Sequence, residues 1–214
     1  MIVKEMPRRW SLSRILKYYA MSSLTLKGNI IDLGSGSEEP SYEKYLNYKY
    51  PHKKIYADLF KSGPNIVKID LEKKFDYLIS NQFDFILCHS VLEHIYEYKN
   101  ALRECYRILK PGGAMIGSVP FLFPFHPCPN DYYRFTHQAL TKIFTETGFK
   151  NHKILSLGFG PISTGTNQWL HIMPRFIRPL IIIPCIIFDS FILKRIKPQI
   201  SERYPLGFLF INYK

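Results

Sequence analysis

The sequence predicts an α/β protein with a mainly parallel sheet of seven strands and helices on both faces. Short apolar runs alternate with segments of helical periodicity along most of its 214 residues. Such alternation favours parallel strands joined by helical crossovers. Hydrophobic residues make up 46% and charged residues 21% of the chain, which allows a large core and argues against general disorder. Functional residues are therefore expected just after each strand, where ligands bind in folds of this class.

The first half of the chain contains two predicted helices and four predicted strands. The first helix, at 10–20, has an apolar face of Leu12, Ile15, Leu16 and Tyr19. The second helix is predicted at 42–48. The four strands are apolar runs at 29–33, 54–59, 65–71 and 83–88.

The second half supplies two more helices and three more strands. One helix carries apolar residues at 101, 102, 105, 108 and 109 and stops at the Lys-Pro-Gly-Gly run of 110–113. Another begins at the N-cap Thr136 and ends at Gly148. The strands are predicted at 114–119, 153–157 and 208–212.

Residues 161–203 interrupt this regular pattern between strands six and seven. The segment is rich in proline and apolar residues and is long for a connection in a compact domain. We expect a helical apolar insertion with its own structure.

The formal net charge of +12 points to polyanionic partners, such as nucleic acid, an anionic membrane or a phosphorylated substrate, or only to a basic surface. Residues 1–27 contribute six basic side chains against Glu5 alone. These are Lys4, Arg8, Arg9, Arg14, Lys17 and Lys27. No apolar signal segment precedes Ser11, and the four cysteines are scattered without metal-ligand spacing. We expect a reduced, cytoplasmic protein and no metal site.

Acidic and glycine residues at three consecutive strand ends suggest a nucleoside site. Asp32-Leu33-Gly34-Ser35-Gly36 follows the first strand, where glycines let a ligand approach the backbone. Glu39 stands where the dinucleotide fingerprint has its third glycine, which disfavours a nicotinamide or flavin cofactor. Asp58 can accept hydrogen bonds from both ribose hydroxyls. Asp70 can accept one from an adenine amino group or, alternatively, cap a turn.

The motifs resemble those of class I S-adenosylmethionine-dependent methyltransferases, in particular the methyltransferase type 11 group. The similarity lies in three runs, at 30–36, 83–95 and 101–113, and covers 28–160 and the last strand. It implies a Rossmann-like fold whose last strand is antiparallel, and S-adenosyl-L-methionine as cofactor. We therefore predict a single domain of 1–214. It comprises a basic helical segment (1–27), a cofactor-binding core (28–160), the insertion (161–203) and a final strand (204–214).

The resemblance also implies a role for each motif residue. Asp32, Gly34, Ser35 and Gly36 would surround the methionine end of the cofactor. Asp58 would bind the ribose, while Leu59, Asp70 and Leu71 would contact adenine. Cys88 and His89 would lie near the sulfonium. Glu38 stands where many members have a third glycine, and Glu93 and His94 are interpreted as structural residues.

The segment after strand five, 121–135, is the predicted acceptor site because it mixes apolar residues with His, Asp, Tyr and Arg at a strand's carboxyl end. His126 is a candidate general base. Asp131 could orient His126 or bind a substrate hydroxyl, and Arg134 could hold a phosphate or carboxylate beside the candidate substrate residues Tyr132 and Tyr133. Alternatively, Asp131 and Arg134 form an internal ion pair.

The insertion favours a membrane-proximal acceptor. Its apolar run at 179–188 is too short to span a bilayer, which needs about 20 residues, and basic residues flank it on both sides between 175 and 197. We expect peripheral membrane contact through 175–197 and O-methylation of a small, glycan or lipid-linked acceptor. The insertion could instead be a lid or a dimer face. A nucleic-acid substrate is less favoured, because 88–91 lacks the Asn/Asp-Pro-Pro-Tyr/Phe run of base methyltransferases. The rivals are an RNA or protein methyltransferase and a non-catalytic scaffold of the same fold.

Overall fold

The first and fourth strands lie side by side in the middle of the sheet, and the last three strands lie on one side. A computed structural model describes residues 11–214, so the predicted roles of Lys4, Arg8 and Arg9 lie outside the described residues. The strands are β1 (Thr25–Leu33), β2 (Asn47–Asp58), β3 (Ile66–Lys68), β4 (Phe83–His89), β5 (Leu109–Pro120), β6 (Asn151–Leu157) and β7 (Gly207–Tyr213). Their order across the sheet is β3-β2-β1-β4-β5-β7-β6.

Strands β1 to β5 pair in parallel, whereas β7 runs antiparallel to both β5 and β6. The seven-stranded, mainly parallel sheet and the antiparallel last strand are therefore confirmed. The chain leaves β1 in one direction to form β2 and β3 and then returns to place β4 on the other side of β1. This reversal leaves a crevice at the carboxyl ends of β1 and β4, which is where ligands bind in open α/β sheets.

Helices cover both faces of the sheet. Helix α1 (Leu12–Met21) packs on one face through Tyr18 and Met21. Helices α2 (Tyr98–Ile108) and α3 (His137–Thr147) pack on the other. Thr136 accepts a hydrogen bond from the Ala139 N–H and Gly148 ends α3 in the left-handed conformation, as predicted.

The prediction that Tyr19 belongs to the apolar face of α1 is wrong. Tyr19 is 66% exposed, while Tyr18 is buried and its hydroxyl lies 2.6 Å from the Ser41 Oγ. The helix is rotated so that Lys17, Tyr18 and Met21 face the protein along with Leu12 and Ile15.

The predicted helix at 42–48 is also wrong. Only a single helical turn, Glu43–Tyr45, forms there, and β2 already begins at Asn47. The reason is tertiary: residues 47 and 48 pair with Thr25 and Leu26 of β1, and this pairing overrides local helical spacing.

Several strand boundaries differ as well, since β1 begins at Thr25 rather than at 29 and β2 at Asn47 rather than at 54. Strand β3 ends at Lys68, because the Asp70 side chain accepts the Glu72 N–H and turns the chain. Strand β5 begins at Leu109, five residues early, with Gly112 at a φ of 77° inside it.

Residues 161–203 form helices α4 (Pro161–Trp169), α5 (Arg178–Ile187), α6 (Lys194–Ile196) and α7 (Ile200–Arg203). Leu170 and Ile182 of this insertion pack with Leu12 and Ile15 of α1. Asp189 is fully buried and accepts hydrogen bonds from the Ser163 N–H (2.7 Å) and hydroxyl (2.6 Å) in the first turn of α4. The insertion is thus fixed both internally and to α1. Among residues 11–214, no helix has the length and apolar character needed to cross a bilayer.

Candidate active site

The loop after β1 leaves open space above one of its glycines. Gly34 and Gly36 have φ angles of 65° and 68°, a region that glycine occupies without strain. A Cβ at Gly34 would lie 2.6 Å from Val91, whereas a Cβ at Gly36 would meet no atom within 4 Å. Between them, the Ser35 hydroxyl is buried without a hydrogen-bond partner. Gly34 is therefore required for packing, and Gly36 borders the space that a ligand could enter.

Asp32 lies beneath this loop and is held in place by two partners. Its carboxylate accepts a hydrogen bond from the Tyr42 hydroxyl (2.7 Å) and forms an ion pair with Lys54 (2.9 Å). Burial raises the pKa of the Asp32 carboxyl, and Lys54 and Tyr42 oppose that rise. Asp32 therefore supports the loop from inside the protein.

Asp58 links the first two strand ends. Its carboxylate accepts the Gly36 N–H (3.1 Å) and also the N–H groups of Phe60 (2.8 Å) and Lys61 (2.9 Å) in its own turn. The adjacent Leu59 side chain is 37% exposed. Asp58 thus lies beside the open space above Gly36, with carboxylate lone pairs left for a further donor.

Asp70 and Leu71 are found where β3 ends, and the turn alternative for Asp70 is realised. Asp70 caps the Glu72 N–H and forms an ion pair with Lys73 (3.1 Å). Leu71 is partly buried against the core. These contacts define a turn and leave any adenine contact as a prediction.

The two predicted residues at the end of β4 face different surroundings. The Cys88 side chain lies in the core between the sheet and α2, and burial raises the pKa of its thiol. His89 is buried beside the Tyr42 ring, with its Nδ1 3.3 Å from the Ser118 Oγ and its Nε2 unpartnered. Burial, and then the charges of Lys17 and Lys54, hold the pKa of His89 well below its usual value. His89 is therefore a neutral group with one free ring nitrogen.

A polar cavity of about 180 Å³ opens beside these strand ends. Its walls come from α1, the ends of β4 and β5, and the segment after β5. They include Arg14, Lys17, Ser90, His94, Ser118 and His126. Charged, hydroxyl and imidazole groups thus meet in one small space, which suits a polar group of a ligand.

Lys17 lines the cavity, although its sequence position indicates only one of the basic side chains of 1–27. Its side chain is buried, and among residues 11–214 it contacts the rings of Tyr18 and Tyr42 and has no ion-pair or hydrogen-bond partner. Burial lowers the pKa of Lys17 to about 8, with Arg14 adding to the effect. No periodicity signal marks this lysine, since its burial depends on how α1 docks.

The predicted His126–Asp131–Arg134 group is assembled, with both alternatives for Asp131 present. Asp131 forms a bidentate ion pair with Arg134, and its Oδ2 lies 3.3 Å from the His126 Nδ1 and accepts the His126 N–H. The Arg134 side chain holds the pKa of Asp131 well below its usual range. Because Arg134 is occupied by Asp131 and by the carbonyl oxygens of Tyr133 and Pro124, its predicted role in holding a substrate anion is not supported.

The predicted substrate residues Tyr132 and Tyr133 likewise lie away from the cavity walls. Tyr132 contacts the Tyr96 ring edge-on, and the Tyr133 hydroxyl donates to the Tyr96 carbonyl (3.1 Å). Their backbone N–H groups donate to the Glu93 carbonyl. They brace the loop against the turn that carries Glu93 and His94.

Glu93, His94 and His126 form a cluster that could hold a metal ion, although no metal site was expected from the sequence. One ligand atom of each lies within 4.8 Å of the others. Burial raises the pKa of the Glu93 carboxyl to about 8. Residues 93 and 126 are 33 positions apart, so no spacing rule would have joined them.

An apolar groove of about 500 Å³ adjoins the polar cavity. Its walls include Phe121, Leu122, Pro161 and Tyr204, and Phe123 lines both the groove and the polar cavity. The groove lies between the segment after β5 and helix α4 of the insertion. A ligand with a polar head and an apolar extension would fit the pair of spaces.

Comparisons with known proteins agree with this architecture. A family model described as a methyltransferase domain matches residues 43–117. Ubiquinone biosynthesis O-methyltransferase of Thiobacillus denitrificans is 24% identical over 124 residues, which is 49% of this chain and 53% of that protein. The chain thus matches about half the length of this relative.

Solved structures show the same fold at low identity. An S-adenosylmethionine-dependent methyltransferase from Archaeoglobus fulgidus superposes with a TM-score of 0.57 and 16% identity, covering 100% of this chain and 99% of the other. Phosphoethanolamine N-methyltransferase 2 of Haemonchus contortus, in complex with S-adenosyl-L-methionine, gives a TM-score of 0.57 and 13% identity, covering 92% of this chain and 52% of the other.

Proposed function

We propose that this chain, which carries a class I S-adenosylmethionine-dependent methyltransferase domain, methylates an oxygen of a small, glycan or lipid-linked acceptor beside a membrane. The observation that carries the proposal is the position of the polar cavity. The cavity opens at the carboxyl ends of β4 and β5, and β4 pairs with β1, whose carboxyl end carries the glycine loop. Cofactor and acceptor would thus meet at the reversal point of the sheet.

The residues around the loop fit S-adenosylmethionine, which supplies an activated methyl group on its sulfonium when bound. Asp58 offers carboxylate lone pairs for ribose hydroxyls beside the open space at Gly36. The buried, unpartnered Ser35 hydroxyl and His89 Nε2 are free to bond the methionine portion. Lys17 supplies a cation for its carboxylate. The related Haemonchus contortus protein was solved with this cofactor.

We assign His126 as the residue that accepts the proton of the acceptor hydroxyl. Its Nδ1 lies 3.1 Å from the Pro124 carbonyl, which can only accept, so in the neutral ring Nδ1 carries the hydrogen and Nε2 a lone pair. This nitrogen can accept the hydrogen of an acceptor hydroxyl in the cavity. Asp131 is a positioning residue, since it contacts the backbone and ring of His126 rather than the cavity.

The neighbouring apolar groove supports an acceptor with an apolar part. A polar cavity of about 180 Å³ is smaller than the roughly 300 Å³ of typical ligand sites, so it would take only the reacting end of such a molecule. The groove continues from Phe123 towards the insertion. The O-methyltransferase relative from Thiobacillus denitrificans is named for ubiquinone biosynthesis, which is compatible with an acceptor of this kind.

The outer surface of the insertion supports peripheral membrane contact. Phe176, Leu180, Phe191 and Ile196 are each between 65% and 75% exposed. The exposed basic residues Arg175, Lys194, Arg195 and Lys197 flank them. Exposed aromatic and aliphatic side chains bordered by basic residues suit the interface of an anionic bilayer.

The test is methyl transfer from S-adenosylmethionine with a labelled methyl group, using matched organic and aqueous extracts of the cells that make the protein. We expect label in the organic-phase product or in a small glycan. Label in RNA or protein would replace the acceptor part of the proposal with the rival methyltransferase function. Failure of well-folded protein to bind S-adenosylhomocysteine would favour the non-catalytic scaffold.

A further inference from the structure

Three side-chain atoms with lone pairs converge at the wall of the polar cavity. The Glu93 Oε1 lies 3.8 Å from the His94 Nε2 and 4.0 Å from the His126 Nε2. The two imidazole rings meet nearly at right angles, with centroids 5.1 Å apart. All three residues belong to segments held together by backbone hydrogen bonds, because the Glu93 carbonyl accepts the Tyr132 and Tyr133 N–H groups.

The hydrogen-bond partners fix the direction of both rings. The His94 Nδ1 bonds the Asn130 carbonyl (2.5 Å), and the His126 Nδ1 bonds the Pro124 carbonyl (3.1 Å). Since a carbonyl oxygen cannot donate, each neutral ring carries its hydrogen on Nδ1 and a lone pair on Nε2, which lies within 4.0 Å of the Glu93 Oε1. Glu93 is fully buried, and neither of its carboxylate oxygens has a hydrogen-bond partner in the described part of the chain.

A buried carboxyl group beside two imidazole lone pairs, with no hydrogen-bond partner among the described residues, is costly unless a proton or a metal cation lies between them. We propose that Glu93, His94 and His126 bind one divalent first-row metal ion, such as zinc. Two imidazole nitrogens and one carboxylate oxygen form a ligand set that such ions take, with a further position left for water or substrate.

The spacing suits an ion after small side-chain rotations. Zinc–nitrogen and zinc–oxygen bonds of about 2.0–2.2 Å place tetrahedral ligand atoms about 3.4 Å apart. The separations of 3.8 and 4.0 Å exceed this value by about half an ångström, and the two histidine nitrogens, which lie within 4.8 Å of each other, would also approach on binding. Metal-bound histidines are usually oriented by a carbonyl or carboxylate that bonds the other ring nitrogen. Here the Asn130 carbonyl bonds the His94 Nδ1, and the Pro124 carbonyl and the Asp131 carboxylate lie 3.1 and 3.3 Å from the His126 Nδ1.

His94 and His126 line the cavity, so the open coordination position would face the acceptor. An acceptor hydroxyl oxygen bound there would have its pKa lowered by the cation. Its O–H bond breaks and the proton leaves to water. The oxygen then forms the new O–CH3 bond as the S–CH3 bond breaks and S-adenosylhomocysteine is released. This role rests on the proposed function and replaces the assignment of His126 as proton acceptor, whereas ion binding itself depends on neither.

The test uses the full chain after treatment with a chelator, titrated calorimetrically with ZnCl2 and followed by visible absorption with CoCl2. We expect one ion per chain, and affinities at least about tenfold weaker in His94→Ala and His126→Ala. His52→Ala, which removes an exposed histidine on β2, is the matched control and should bind like the wild type. Glu93→Gln should also lose affinity. Because this buried change could unfold the protein, the two histidine variants and thermal unfolding of each protein decide the result.

Equal zinc affinity in the wild type and both histidine variants would overturn the proposal. The same samples are then assayed for methyl transfer before and after reloading. One ion per chain with no transfer to any extract would leave the ion site standing and reject the proposed function. Transfer by chelator-treated protein that binds no ion would reject the ion site and retain His126 as the proton acceptor.

Discussion

The Lys54 ammonium lies 2.9 Å from the Asp32 carboxylate, and both side chains are almost entirely removed from water. The pair joins β2 to the end of β1 directly below the glycine loop. Lys54 also lies within 6.0 Å of the ring centres of Tyr42, Tyr48 and Tyr56. The loop at the centre of the candidate site therefore rests on a buried ion pair surrounded by aromatic rings.

Removing Lys54 should destabilise the protein strongly. Lys54→Met leaves the Asp32 carboxylate buried beside Tyr42 without its cation, which typically costs about 3 kcal/mol or more. Urea unfolding measures the free energy of unfolding. Lys53→Met, at an exposed position on the same strand, is the control and should change it little. Similar losses in both variants would mean that the ion pair contributes nothing specific.

The two loop glycines should respond differently to alanine. Gly36→Ala has room for its Cβ, so it should lower stability only by the left-handed backbone cost of about 1 kcal/mol. Its methyl group would enter the proposed cofactor space and weaken S-adenosylhomocysteine binding in calorimetry. Gly34→Ala, whose Cβ would lie 2.6 Å from Val91, should instead lose much more stability. Unchanged S-adenosylhomocysteine binding by Gly36→Ala would contradict the placement of the cofactor beside Gly36.

Binding of S-adenosylhomocysteine should depend on the charge of Lys17. Burial lowers the Lys17 pKa to about 8, so the ammonium is present at pH 7 and is lost as pH rises through 8. Affinity should therefore fall above pH 8 in the wild type. Lys17→Met should bind more weakly at pH 7, with a flatter profile, while Lys49→Met at an exposed position should behave like the wild type.

Burial sets the direction in which the Lys17 pKa is shifted, and the groups that face Lys17 modify it. Arg14 lowers its pKa further, while Glu93 and Asp32 raise it, and the Tyr18 and Tyr42 rings lie 5.6 and 5.8 Å away. Because the folded-state pKa is below the usual 10.5, unfolding takes up a proton between pH 8 and 10.5, and the free energy of unfolding should rise over that range. A wild-type profile that matches that of Lys17→Met would contradict both expectations.

Membrane association should depend on the apolar surface of the insertion. Phe191 is 65% and Phe176 75% exposed, and replacing either with Ser should weaken binding to phosphatidylglycerol vesicles about tenfold in sedimentation assays. Phosphatidylcholine vesicles and high salt should also reduce binding, because the flanking charges are basic. Tyr77→Ser, at a residue that is 86% exposed but outside the insertion, is the control. Equal sedimentation of all variants would argue for another use of this surface.

The chain's own local pattern determined the fold class and the approximate positions of the strands along the chain. The apolar runs at 83–88 and 208–212 became β4 and β7 with bounds within one residue, and the run at 29–33 became the second half of β1, because buried strands of a covered sheet need continuous apolar sequence. Thr136 and Gly148 marked the ends of α3 for a similarly local reason, since caps act on neighbouring backbone groups.

Tertiary structure decided the features for which the sequence pattern was ambiguous or gave no signal. Residues 42–48 have helical spacing, yet pairing with β1 drew 47 and 48 into a strand. The burial of Lys17, the occupation of Arg134 by Asp131, and the meeting of Glu93 with His126 all depend on side chains from distant segments packed together. Local periodicity reports which face of an element is apolar, but the free energy of a charged group depends on what surrounds it after packing. The strand ends that hold the candidate site were therefore readable from the sequence, and the partners of each charge within it were not.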